Sequence, residues 1–296
     1  MALTRSLREN LLRSDGGSLA VESDADAYRI CRRIAFGHYE NFPVASLVLG
    51  RLRDDVAAIY AFARLADDIA DELPAAVEQK LRLLEELDTW LQTPPRSHPI
   101  ARALARTIAR CHLPLGPIRR LLAAFRYDAA HVPFSDEAAL CAYCQQSAAP
   151  IGELLLRLVG EWNQETAPSS DAFCAGLQVL NFWQDVWEDS KRGRWTFPLQ
   201  WLPPAVDKPS QHVLLDSSIC QMVMAQYDRL VGELLPQGKE LRRRLRSRRL
   251  RLQVGATWES ACIVWNACRR RGVRQSPRPR LRWWNVPRIV LATLIG

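Results

Sequence analysis

Two stretches of this sequence place carboxylate and amide oxygens one helical turn apart. In Tyr60-Ala-Phe-Ala-Arg-Leu-Ala-Asp-Asp-Ile-Ala-Asp-Glu72, helical spacing puts Tyr60, Arg64, Asp67 and Asp71 on one face. In Gln178-Val-Leu-Asn-Phe-Trp-Gln-Asp-Val-Trp-Glu-Asp189 it aligns Gln178, Asn181, Asp185 and Asp189. Stacked carboxylates repel, so each face calls for a cation: a divalent ion or, in the first stretch, Arg64 one turn away. An all-oxygen donor set (Asp67, Asp71, Asn181, Asp185, Asp189) suits Mg²⁺ and does not suit zinc. Mg²⁺ takes few protein carboxylates and fills its remaining positions with water and phosphate oxygens. Two such helices facing each other would hold a phosphate-bearing ligand between them. The competing account is structural: a solvated acidic face, or a buried acidic network paired with arginine.

Both stretches read as helix, with neither Pro nor Gly inside them. Apolar flanks such as Val56-Ala-Ala-Ile predict that the first acidic face is at least half buried. Leu180, Phe182, Trp183, Val186 and Trp187 predict a second helix that is core on most sides. The elements around them also carry helical period. One helix is expected from Ser23 or Asp24 to His38, and others over 76–91, 99–111, 115–129, 210–234 and 238–270. Pro150 predicts a break within 139–160, and Gly152 beside it allows close approach of a ligand. Trp201 to Pro209, led in by Lys191, Arg192 and Arg194, reads as a loop placed to act as a lid. The chain is therefore expected to be all-α, with one domain over 21–290. A flexible N-terminus (1–20) precedes it, and a basic, aromatic and apolar tail (281–296) ends it.

The pair of acidic motifs resembles the squalene/phytoene synthase family, the head-to-head isoprenoid synthases. His38-Tyr-Glu-Asn-Phe-Pro-Val-Ala-Ser46, Tyr143-Cys-Gln-Gln-Ser-Ala-Ala-Pro-Ile-Gly152 and Gly193-Arg-Trp-Thr-Phe-Pro198 fall where that family has its other signature segments. The wording of His38–Ser46 and of Asn181-Phe-Trp-Gln-Asp185 is most similar to the bacterial hopanoid-pathway branch, the hydroxysqualene synthases. The resemblance implies a single-domain helical bundle around a central hydrophobic cavity. It implies about three Mg²⁺ ions around a prenyl diphosphate, held by Asp67, Asp71, Asn181, Asp185 and Asp189. His38, Asn41, Tyr60, Arg64, Gln178, Gln184 and Arg194 would contact substrate, and Asp67, Asp71, Asp185, Arg64 and Gln184 would serve catalysis. Val44, Phe182, Trp183 and Leu154 to Leu156 are candidates for the apolar wall. The implied reaction is ionisation of presqualene diphosphate with water capture, giving hydroxysqualene and diphosphate without NADPH.

Two departures from the family pattern bear on this. A tyrosine found in relatives that couple two farnesyl groups is replaced by Gln146, and an arginine common before the first Asp of the second motif is replaced by Gln184. Both weigh against the alternative, condensation of two farnesyl diphosphates to presqualene diphosphate, squalene or dehydrosqualene. Both are also polar candidates for placing the captured water.

Composition sets the remaining bounds. With 296 residues and 48% hydrophobic content the chain can bury a large core. No apolar run reaches the ~18 residues of a membrane span, and the first residues lack a secretory apolar core, so a cytoplasmic location is expected. The eight cysteines read as reduced thiols, since Cys141 and Cys144 have no second metal-ligand pair. Lys239 to Arg288 holds 16 basic residues against Glu240 and Glu259, while the rest of the chain has 24 basic and 30 acidic residues. Nucleic acid is not expected as a partner, because aromatic interleaving and binding modules are missing from the basic block. An anionic membrane face remains a candidate partner for the tail, against the alternative of a last helix docked on the core. The distant rival is a non-catalytic basic peripheral membrane protein.

Overall fold

The computed structural model describes residues 4–36, 50–204, 206, 213–274 and 278–295. Among the described residues the regular structure is helical and contains no strand, as the periodicity predicts. The chain divides into two compact units: residues 1–130 with 154–160, and residues 131–153 with 161–296. The two acidic helices belong to different units.

The first unit contains α1 (Arg5–Leu11), α2 (Asp24–Phe36), α3 (Arg53–Asp71), α4 (Val77–Thr89), α5 (Pro99–Cys111) and α6 (Leu115–Ala130). The acidic helix α3 is its hub and packs against α2, α4, α5 and α6. Ala57, Ala58, Ala61, Ala66 and Ala70 keep its buried sides narrow, and Ile59, Phe62, Leu65 and Ile69 fill the space between helices. Each large apolar side chain so buried contributes ~1.5–3 kcal/mol. Its last turn is closed from α4, where buried Lys80 donates from Nζ to the Ala70 carbonyl at 2.7 Å. At its other end fully buried Asp55 accepts from Thr107 at 3.1 Å and from Arg110 at 2.5 Å.

The opening segment, expected to be flexible, carries α1 and is tied down. Leu11 is fully buried, and Asn10 Oδ1 accepts from the backbone N–H and hydroxyl of Ser18 at 2.8 and 2.9 Å. His98 completes the tie. Its Nδ1 caps α5 by accepting the Ala101 N–H at 3.2 Å, which leaves Nε2–H to donate to the Leu11 carbonyl at 3.0 Å. Burial pushes the His98 pKa down to about 4, so the ring is neutral at pH 7.

The second unit contains α7 (Glu137–Ser147), the start of α8 (Ala149–Leu158), α9 (Ala167–Lys191), α10 (Ser217–Leu234), α11 (Gln237–Arg244), α12 (Arg248–Arg271) and α13 (Val286–Ile295). Its hub is the second acidic helix, α9, against which α7, α10, α11 and α12 pack. Trp183 stacks on Tyr227 at 6.2 Å and donates its indole N–H to Met224 at 2.9 Å, which locks α9 to α10. The break predicted at Pro150 is present: α7 stops at Ser147 and α8 restarts at Ala149. Gly152 serves packing and not ligand approach, because a Cβ there would lie 2.5 Å from Ser170 Oγ and 2.7 Å from Cys174 Sγ on α9.

Two expectations are corrected here. The long helix expected over 238–270 is interrupted at Leu245, whose ψ is 137°. Glu161 causes the interruption: its carboxylate accepts the Arg246 and Ser247 N–H groups at 2.6 and 2.7 Å, and Ser247 then caps α12. Trp201, placed in the lid loop by sequence, is buried edge-on against Tyr227 at 5.1 Å, so the start of that loop is core. Residues 205 and 207–209 of the loop, and 210–212 of the helix expected after it, lie outside the described residues. All eight cysteines are free thiols, and burial pushes Cys31 and Cys268 up to about 12, far from nucleophilic use.

Candidate active site

The first acidic face sits on the accessible side of α3. Tyr60, Arg64, Asp67 and Asp71 are all half-buried, on a helix whose other sides are covered, as the apolar flanks predict. The Arg64 guanidinium forks over two neighbours, reaching Asp67 Oδ2 and Asp68 Oδ1 at 3.0 Å each. Asp68 is fully buried, so it is the acid that most needs this partner. Arg64 is therefore a half-buried positioning charge. His38, Asn41 and Val44, which the resemblance assigns to substrate contact, lie outside the described residues.

The second acidic face sits on the accessible side of α9. Gln178, Gln184, Asp185 and Asp189 are half-buried and Asn181 is exposed, whereas Phe182, Trp183, Val186 and Trp187 are buried. Past the end of the helix the Arg192 and Arg194 N–H groups both donate to the Asp189 carbonyl at 2.9 Å, which folds the basic turn back over the last residues of α9. Lys191 and Arg192 are exposed, and Arg194 is half-buried. Gln146 is exposed near the end of α7.

The residues that sequence reasoning missed come from the end of α12 and the segment that follows it. Arg278 forms an ion pair through Nε with Asp185 Oδ1, and its Nη2 donates to Asn181 Oδ1 at 3.2 Å. Its segment is fixed to the same helix: Gln184 donates from its side-chain amide to the Pro279 carbonyl. Upstream, buried Arg271 donates to the Trp183 and Gln184 carbonyls at 2.6 and 2.9 Å. Asp185 is thus an acid under two opposing pressures. Burial pushes its carboxyl up to about 6 and Glu188 adds to the rise, while Arg278, Arg271 and Arg280 pull it down. Gln184, a candidate for placing water, has its amide nitrogen committed to Pro279.

Among the described residues no three His, Cys, Asp or Glu side chains cluster as a complete metal cage. Mg²⁺ does not require one. The α9 donors fit such an ion: Asp185 and Asn181 turn their oxygens toward one positively charged group. Asp185 Oδ1 is buried in ionic contact with Arg278 while making no hydrogen bond. Arg278 thus meets, in this structure, the demand for positive charge that the acidic spacing creates.

A family model described as squalene/phytoene synthase matches residues 36–285. The chain is 40% identical over 151 residues to a hydroxysqualene synthase of Rhodopseudomonas palustris, covering 51% of each chain. It is 37% identical over 159 residues to a hydroxysqualene synthase of Sinorhizobium fredii, covering 53% of this chain and 54% of that one. The chain spans about half the length of these curated relatives. Among solved structures it is similar to squalene synthase HpnC from Alicyclobacillus acidocaldarius, with a TM-score of 0.73 and 30% identity over 89% of this chain and 98% of that one. A dehydrosqualene synthase solved with a ligand shares the fold, with a TM-score of 0.72 at 18% identity over 92% and 96% of the two chains. The helical architecture, the two oxygen-rich helix faces and a family match over most of the sequence lead to one assignment: this chain belongs to the squalene/phytoene synthase family.

Proposed function

We propose that the protein ionises presqualene diphosphate and captures the resulting carbocation with water, releasing hydroxysqualene and diphosphate. The observation that carries this reading is the convergence of Asp185 and Asn181 on a single cationic group, on the accessible face of an otherwise buried helix. The similarity to hydroxysqualene synthases of two organisms supports the choice of reaction.

In this scheme the cyclopropylcarbinyl C–O bond breaks, the diphosphate leaves with the electron pair, and the ring opens to an allylic cation. A water oxygen then bonds to the carbocation and loses a proton, so no electrons are gained or lost and no nicotinamide is needed. Mg²⁺ bound by Asp67, Asp71, Asn181, Asp185 and Asp189 would stabilise the negative charge that grows on the departing diphosphate. Arg64 holds the Asp67 and Asp68 carboxylates in place and adds a fixed positive charge to the first acidic face. With Mg²⁺ held at Asp185, Arg278 would be displaced from that carboxylate, and its guanidinium would supply the positive charge that Gln184 lacks. The hydrocarbon chains need a dry wall to protect the cation from stray water. Phe134, Tyr143 and Phe182 form a ring cluster with centroids 5.3 to 6.1 Å apart in the second unit and suit that task.

The alternative, condensation of two farnesyl diphosphates, is separated by substrate. Purified protein is supplied with presqualene diphosphate or farnesyl diphosphate, with Mg²⁺ and without NADPH, and the products are identified. Hydroxysqualene from the first alone, abolished by chelator, is the expected result. Turnover of farnesyl diphosphate would replace this reading with the condensing one.

A further inference from the structure

We infer that α13, with the arginine-rich segment before it, is an in-plane docking surface for an anionic lipid bilayer. Past Glu259 the chain carries eight arginines and no acidic residue; Arg271 is buried and Arg269 and Arg278 pair with Asp228 and Asp185, while Arg270, Arg274, Arg280, Arg282 and Arg288 are exposed. Within this basic stretch the surface turns apolar. Trp284, Val286, Val290 and Leu291 are 51%, 55%, 51% and 61% exposed, four of the nine large exposed hydrophobic side chains among the described residues. Scattered single exposures need no explanation, but four within eight residues do.

The exposure follows from how the helix is held. On its inner side Ile289 and Thr293 are buried, and Thr293 approaches α12 where Gly255 leaves room: a Cβ on Gly255 would lie 3.2 Å from the Thr293 methyl. The Thr293 carbonyl accepts from Arg242 at 2.7 Å, which ties α13 to α11. At about 100° per residue, Val286, Val290, Pro287 and Leu291 then sweep the outward arc, and Arg288 stands at its edge. The Arg282 guanidinium lies 4.9 Å from the Trp284 ring centroid, pairing a cation with an interfacial aromatic. An apolar arc flanked by arginines and tryptophan is the pattern of a helix lying in the headgroup region. No helix among the described residues is long and apolar enough to cross a membrane, so the contact is with one face. Charge complementarity selects anionic lipid over a second copy of this chain, whose corresponding surface carries the same positive charge.

The test is co-sedimentation of the full chain with vesicles of phosphatidylcholine alone or mixed equally with phosphatidylglycerol, at about 0.1 M salt. Binding to the anionic vesicles should be at least ~10-fold tighter than to the neutral ones. The double variant V290E/L291E should lose that binding while its circular dichroism and melting temperature stay those of the parent. R282Q/R288Q, which keeps the apolar arc, should lose most of the preference for phosphatidylglycerol and serves if the first variant misfolds. Equal binding of parent and V290E/L291E, or no binding to anionic vesicles, overturns the inference. So does a parent that sediments as a dimer while V290E/L291E is a monomer, which would assign the arc to a second copy.

Discussion

The two acidic helices solve one electrostatic problem in different ways. On α3 the counter-charge is local: Arg64 sits three and four residues before Asp67 and Asp68, so the pair forms whenever the helix forms. On α9 it is imported: Arg278 stands 97 residues after Asn181, and its segment is positioned only once Gln184 and Arg271 have joined the tail to the helix. A local partner is part of the element, whereas an imported one belongs to the tertiary structure and can be exchanged. The first arrangement therefore suits a fixed charge and the second a replaceable one.

The comparison breaks most sharply at the carboxylates. If both faces serve the same ionisation, Asp67→Ala and Asp185→Ala should each lower turnover of presqualene diphosphate by about 10²–10³-fold. A large loss in only one would make the other helix structural. Stability should separate the arginines. Arg64→Met takes a charged partner from fully buried Asp68 and should cost about 3 kcal/mol in urea denaturation. Arg278→Met should cost about 1 kcal/mol or less, because Arg278 and Asp185 are 32% and 22% exposed.

Exchangeability itself is measurable without turnover. Arg278→Gln removes the competing guanidinium and should tighten Mn²⁺ binding by about fivefold in calorimetry, the equivalent of ~1 kcal/mol. Unchanged affinity would mean that Arg278 does not stand in the way of a metal ion. A pH effect is confined to the first unit. The folded pKa of His98 is about 4, below its ordinary 6.5, so the unfolded chain takes up the proton first. Stability from this group is complete above pH 6.5 and is lost as pH falls toward 4. About 2 kcal/mol should disappear between pH 7 and pH 5, and His98→Asn should flatten that slope.

What could be read from sequence follows the same division between local and imported. Helical spacing was enough to place Arg64, Asp67 and Asp71 on one half-buried face and to make α9 a core helix, because both properties are periodic. Pro150 marked a real break for the same local reason. Arg278 and Glu161 carried no such signal. The arginine lay in a run that reads equally well as a lipid-facing tail, and the glutamate interrupts a helix more than 80 positions away. Trp201 was misjudged because the prolines after it mark a loop, while Tyr227, which buries it, lies on α10.

Arg278 and the first residue of α13 are only eight positions apart. Eight residues span at most about 28 Å when drawn out straight. While the guanidinium holds Asp185, the start of α13 stays within that leash of the acid. An apolar, outward-facing helix is thereby moored beside the carboxylate and amide that share one guanidinium.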